Sequence, residues 1–173
     1  MQTQICASWR TRGFILYMPT PLSHRFSALS KSEGCMIINY HFYDRNRVQT
    51  TDHFGGAPMT RIHLWVNDIQ VVANGLGLID TGANVTYAAE GLLAAKNINH
   101  DREVSNTTGN GPHVIGVNNS AAINLVGLAP NIPVILRRLP SFSRADVLIG
   151  RDVLDCFKLV YDPLHGIFTI EDT

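Results

Sequence analysis

Hydrophobic and polar positions alternate from Arg61 onward, with Ile62, Leu64 and Val66 on one face and Arg61, His63 and Trp65 on the other. A period of two is that of a half-buried β-strand. Asn67-Asp68 marks a turn before a strand at Gln70 to Ala73, and Asn74-Gly75 a second turn before Leu76 to Asp80. Val85 to Tyr87 reads as the next strand. Tyr87 to Lys96, rich in Ala, Leu and Glu, predicts a short helix that Gly91 weakens. Glu103 to Val117 has the pattern of a hairpin whose tip, Thr107-Thr108-Gly109-Asn110-Gly111, is rich in turn residues. Ala121 to Leu128, Val134 to Leu139 and Val147 to Ile149 supply further strands, with Pro130 and Pro133 in the connection. Before all this, Met1 to Pro58 mixes Ser, Thr, Arg and Pro with one strand-like run, Cys35 to Tyr43. It closes on the loop signal Phe54-Gly55-Gly56-Ala57-Pro58. Residues 1–58 are therefore expected to be a poorly ordered or atypical extension, and residues 59–173 the functional domain.

At 173 residues and 45% hydrophobic content the chain holds enough material for a single core. Charge shifts the picture only slightly. Before Met59 there are six Lys and Arg against three Asp and Glu, and from there on eight against eleven. That imbalance is too mild for the dense basic face that nucleic acid or an anionic membrane would require. Cys6, Cys35 and Cys156 are odd in number and scattered, with no C-x-x-C, so neither a disulfide framework nor a zinc site is expected. His41 and Asp44 lack further ligands at matching spacing and read as surface residues. No metal and no cofactor is expected. With no charged leader before an apolar stretch and no span of membrane length, a cytoplasmic location is expected. Asn-x-Ser/Thr sequons at Asn84, Asn106 and Asn118 are read as chance occurrences.

Candidate chemistry concentrates at Leu78-Ile79-Asp80-Thr81-Gly82-Ala83. An apolar strand that ends in a carboxylate puts a charge at the lip of a packed core, where it is costly unless it has a task. Thr81 can hydrogen-bond the backbone in a tight turn, and Gly82 allows dihedrals or a close approach that a side chain would forbid. Asp-Thr-Gly is also a common turn tripeptide, and the tripeptide alone leaves both readings open. Further along, Asp146-Val147-Leu148-Ile149-Gly150-Arg151-Asp152-Val153-Leu154 again runs a short apolar strand into glycine. It continues into a helical turn with Val153, Leu154 and Phe157 on one face.

These two motifs, in this order, resemble the retropepsin family of aspartic proteases. The resemblance continues through Leu159-Val160-Tyr161-Asp162 and Gly166-Ile167-Phe168-Thr169-Ile170, which looks like the closing hairpin of bacterial retropepsin-like proteins. It implies a mainly β fold, a small closed acid-protease β-barrel with one or two short helices, acting as a homodimer. It implies an aspartic endopeptidase that hydrolyses peptide bonds in peptide or protein substrates with apolar side chains near the cut. Asp80 would be the catalytic acid and base, and Thr81, Gly82 and Ala83 the active-site loop. Thr108, Gly109, Asn110 and Gly111 would belong to a flap over the substrate. Gly150, Arg151 and Asp152 would support the site, the arginine commonly paired with an aspartate four residues beyond the catalytic one. Here that position is Asn84, so Arg151 is expected to lack its usual partner. One carboxylate cannot both take a proton from water and donate one to the scissile carbonyl. This chain has a single Asp-Thr-Gly, so the second must come from another copy. The competing readings are a non-catalytic dimeric peptide-binding module on the same barrel and an unrelated barrel with a chance Asp-Thr-Gly.

Overall fold

The computed structural model describes residues 36–52, 54–108, 111–128, 131–140 and 144–172. The expectations for residues 1–35, Cys6 and Cys35 among them, and for Gly109 and Asn110 lie outside the described residues. In chain order the elements begin with the short strands β1 (Ile37–Asn39), β2 (His41–Tyr43) and β3 (Gln49–Thr50). The long strands β4 (Ala57–Val66) and β5 (Ile69–Ile79) follow, then β6 (Tyr87–Ala89) and helix α1 (Glu90–Ala94). Next come β7 (Arg102–Thr108), β8 (Gly111–Leu125), β9 (Ile132–Leu139) and β10 (Val147–Ile149). Helix α2 (Arg151–Leu154) and the strands β11 (Phe157–Asp162) and β12 (Ile167–Asp172) complete the chain.

Six strands close on themselves, in the ring order β4, β5, β10, β6, β9, β8, because β8 returns to β4 along Ala121–Leu125 against Ile62–Val66. Closure leaves these strands no open edge. The alternation read at the start of the domain is the inside of this barrel: Ile62, Leu64 and Val66 are fully buried and pack with Ile123, Leu125, Leu136, Val147 and Ile149. The expected mainly β barrel with one or two short helices is what forms, with two such helices among the described residues.

Several boundaries differ from expectation, each for a pairing reason. Asn74-Gly75 is not a turn. Strand β5 runs through it, and Ile62 faces Gly75 while Leu64 faces Val72, so β5 carries an extra residue at this point. Asn74 takes up the bulge with φ of 57°, a left-handed conformation asparagine tolerates, and its N–H donates to His63 Nδ1. The strand expected at Val85 to Tyr87 forms at Tyr87–Ala89, and the helix expected from Tyr87 starts only at Glu90. Tyr87 and Ala88 are taken by pairing with Leu148 and Val147, which outweighs helix propensity. Strand β8 also passes without a break through Asn118, where the register shifts. Buried Asn118 there accepts from Arg138 Nε and donates to Asn99 O, while Arg138 Nη2 donates to Ile98 O.

The strand-like run that ends at Tyr43 splits at Tyr40, because its halves pair with different partners. Strand β1 lies against β12, and β2 against β4. A second, three-stranded sheet in the order β1, β12, β11 results. Phe42, Tyr40, Phe168 and Tyr161 tie it to the barrel, the rings of Phe42 and Phe168 meeting edge to face at 5.0 Å. Among the described residues no helix is long and apolar enough to cross a membrane.

Candidate active site

Asp80 is delivered by β5, and the second motif pins it there. Strand β10 runs parallel to β5 with Val147, Leu148 and Ile149 opposite Gly77, Leu78 and Ile79. This approach needs Gly77: a Cβ at that position would lie 2.6 Å from Ile149 Cδ1 and 2.9 Å from Ile62 Cγ2. The next backbone N–H, that of Asp80, donates to Ile149 O at 3.1 Å. The chain then turns at once. Gly82 N–H donates to Asp80 Oδ1 at 2.9 Å, and Ala83 N–H to Asp80 O at 3.2 Å. The carboxylate is thereby held from its own loop, in the Asx-type turn that Asp-Thr-Gly favours.

Gly150 supports this loop from behind. A Cβ on it would stand 2.4 Å from the Val85 carbonyl, so no larger residue fits without backbone movement. Its N–H donates to Thr86 Oγ1 at 3.1 Å, which in turn donates to Asp152 Oδ1 at 2.7 Å, while Thr86 N–H donates to Asp152 Oδ2 at 3.0 Å. Burial pushes the Asp152 carboxyl above the usual carboxylate range, and the hydrogen bonds from Thr86 oppose that rise. Arg151 N–H donates to Ala83 O at 2.9 Å. The missing arginine partner proves to be Asn84 itself, whose Oδ1 accepts from Arg151 Nη2. Arg151, expected to lack its usual partner, is thus anchored by a neutral amide, since one acceptor oxygen at that spot is enough for a guanidinium donor.

Asp80 opens onto a cavity of about 460 Å³. Gly82, Ala83, Asn84 and Val85 of the loop line it, with Leu148 from β10. The hairpin of β7 and β8 contributes Asn106 and Thr107, and the parallel pair β6 and β9 contributes Tyr87, Arg137 and Leu139. Asp80 is the one acidic residue among these. Of the residues singled out from the sequence, Asp80, Gly82 and Ala83 meet in the cavity. Thr81 is exposed on the turn and is not among the lining residues, and from the hairpin tip it is Thr107 that lines the cavity. Thr108 and Gly111 face each other at the end of the hairpin, with φ of 100° at Gly111. Gly150 and Asp152 lie behind the loop, as described above.

Six lining residues were not assigned to the site from the sequence: Val85, Tyr87, Asn106, Arg137, Leu139 and Leu148. The clearest signal was available at Arg137-Arg138, two arginines in the apolar strand Ile132–Leu139. On a strand such neighbours point to opposite faces, so one of them must enter the protein interior. Arg138 does so and is buried, leaving Arg137 on the cavity side. Arg137 Nη1 donates to Asn106 Oδ1 at 2.9 Å, and the Tyr87 hydroxyl donates to the same oxygen at 3.4 Å. Asn106 Nδ2 is buried with no hydrogen-bond partner among the described residues. Among the described residues no group of three or more His, Cys, Asp or Glu is placed to hold a metal ion.

No protein-family model matches the chain, and no curated protein matches it. Among solved structures it is similar to a retropepsin-like aspartic protease from Rickettsia conorii, at 13% identity over 80% of this chain and 93% of that one, with a TM-score of 0.48. It is similar also to EIAV protease complexed with the inhibitor HBY-793, at 17% identity over 61% of this chain and 92% of that one, with a TM-score of 0.44. The protease of simian foamy virus (mac) is a third, at 12% identity over 56% of this chain and 91% of that one, with a TM-score of 0.40. Likeness at these identities and scores carries no conclusion about what this chain does.

Proposed function

We propose that this protein is an aspartic endopeptidase whose working site is completed by a second copy of the chain. The observation that carries the reading is the setting of Asp80. It is held in the lining of a cavity by the backbone of both motifs and by its own turn, and no other acid among the described residues lines that cavity. A single carboxyl so placed suits acid–base chemistry but cannot complete amide hydrolysis alone. Two Asp80 side chains across a two-fold axis would complete it. One would take a proton from the attacking water, while the other, protonated, donates to the carbonyl oxygen. Collapse of the tetrahedral intermediate then breaks the C–N bond as the amine nitrogen gains a proton. Thr81, exposed on the turn, would face the partner's loop, and Gly82 would offer backbone to the substrate. The hairpin of β7 and β8 would close over an extended peptide. Gly150, Arg151 and Asp152 would keep the loop in place.

The test is cleavage of an unfolded protein across acid pH, with and without a transition-state mimic such as pepstatin. The rate should pass through a maximum at about pH 4 to 6, because one carboxylate must be ionised and the other protonated. Asp80→Asn should abolish cleavage and keep the fold. Retention of near-normal activity by that variant refutes the assignment, and peptide binding without any cleavage would leave a binding module on the same barrel.

A further inference from the structure

We propose that the part of the cavity around Arg137 and Asn106 is a subsite for an acidic side chain of the substrate, so that the preferred peptide carries glutamate or aspartate close to the bond that is cut. The inference rests on the peptidase reading and departs from the apolar preference that the family resemblance implies.

Two independent features lead to it. The first is the charge of Arg137. Its guanidinium has five N–H donors, and the one hydrogen bond it makes within the described residues goes to a neutral amide oxygen. No carboxylate lies within ion-pair distance of it among the described residues. Its neighbour Arg138 is different, committed to Asn118 and the Ile98 carbonyl in the barrel wall. The second feature is Asn106. The residue is 7% exposed, its oxygen already accepts from Arg137 and Tyr87, and its buried Nδ2 has no acceptor among the described residues. Buried amides without an acceptor are rare in folded proteins, because the lost hydration is not returned.

The guanidinium donors of Arg137 that have no acceptor among the described residues, on one side of a cavity, call for a ligand rich in acceptors. A carboxylate has no donor to clash with them, accepts along two oxygens, and matches the planar fork of a guanidinium. Leu139, Leu148 and Val85 line the same cavity and would exclude water from the pair, which strengthens the attraction. A lysine side chain would meet the Arg137 cation, and a leucine would leave the donors where they are. Asp80 already receives its own loop N–H.

The experiment uses the full chain and a set of labelled extended peptides in which Glu, Gln, Leu and Lys occupy in turn each position around one cleavable bond. Binding to the Asp80→Asn protein is read by fluorescence anisotropy at about pH 6, where a peptide glutamate is ionised, and cleavage by the wild type is read as kcat/KM. At one position Glu should be preferred over Leu by about tenfold or more, with Gln between them and Lys last. Arg137→Gln should remove the preference for Glu over Gln. Arg137→Glu should move it to Lys, a gain that misfolding cannot produce. Cleavage with no preference for Glu at any position overturns the subsite and leaves the peptidase reading standing. A Glu preference in binding that depends on Arg137, with no cleavage by the wild type, upholds the subsite and overturns the peptidase reading. Absence of both peptide binding and cleavage overturns the two together.

Discussion

Thr86 joins the chain that leaves Asp80 to the second motif. Fully buried, it accepts from Gly150 N–H and gives both its N–H and its hydroxyl proton to Asp152. Thr86→Val keeps the shape but leaves a buried N–H and a buried carboxyl each short of a partner, so a loss of about 2–4 kcal/mol is expected in urea unfolding at neutral pH. Asp152 adds a pH dependence whose sign follows from burial. Its folded-state carboxyl holds a proton to higher pH than the unfolded chain does, so the folded state binds more protons between the two values. Stability therefore falls as pH rises from the unfolded value of 3.8 through the raised folded one. Asp152→Asn does not titrate. Thermal unfolding from about pH 3 to pH 7 should show wild type gaining on this variant toward the acid end. A difference that stays flat across that range would mean the carboxyl is solvated.

Among the elements, the pairing of β5 with β10 matters most to the site, because Asp80 and Gly150 both follow directly from it. Gly77→Ala forces a Cβ against Ile149 and Ile62, and a loss of about 1–3 kcal/mol is expected from this overpacking. Peptide hydrolysis should suffer with it, since the strand cannot shift without carrying Asp80 along. Equilibrium unfolding and activity measured on the same preparation test that coupling. The three-stranded sheet depends on a different contact. Phe42 is buried and its ring meets those of Tyr40, Tyr161 and Phe168, joining β2 to the hairpin of β11 and β12. Phe42→Ala should lose about 3–5 kcal/mol in chemical denaturation. A loss of under about 1 kcal/mol would mean that the hairpin holds without this cluster.

At the scale of the molecule, the proposed dyad requires association. Specific activity should fall on dilution, with rate following the square of monomer concentration once monomer predominates. Sedimentation and an activity assay over one dilution series check this, and a fully active monomer defeats the shared site. The three-stranded sheet narrows where a partner could add. Strand β12 is paired on both sides, so among the described residues the outer strands of this sheet are β11 and β1. Exposed Tyr161 lies on the first and exposed Ile37 on the second. An apolar open edge is a template for another strand, and lysine is the residue that most simply blocks it. Ile37→Lys should shift the equilibrium toward monomer while the folded protomer persists.

The strand pattern from Arg61 onward and the two apolar-to-glycine motifs were legible along the chain. Alternation, turn residues and the chemistry of one aspartate are local properties. Tertiary structure decided what local signals leave undetermined. Asn74-Gly75 is a bulge because β4 pairs on through it, and Tyr87 is strand because β10 claims it. The partner of Arg151 was visible in the sequence as Asn84, yet that an amide would serve depended on how close the Ala83 turn brings the two. The polar wall of the cavity depended on it even more. Tyr87, Asn106 and Arg137 come from three separate strands, so only the sheet order β6, β9, β8, β7 brings their side chains together.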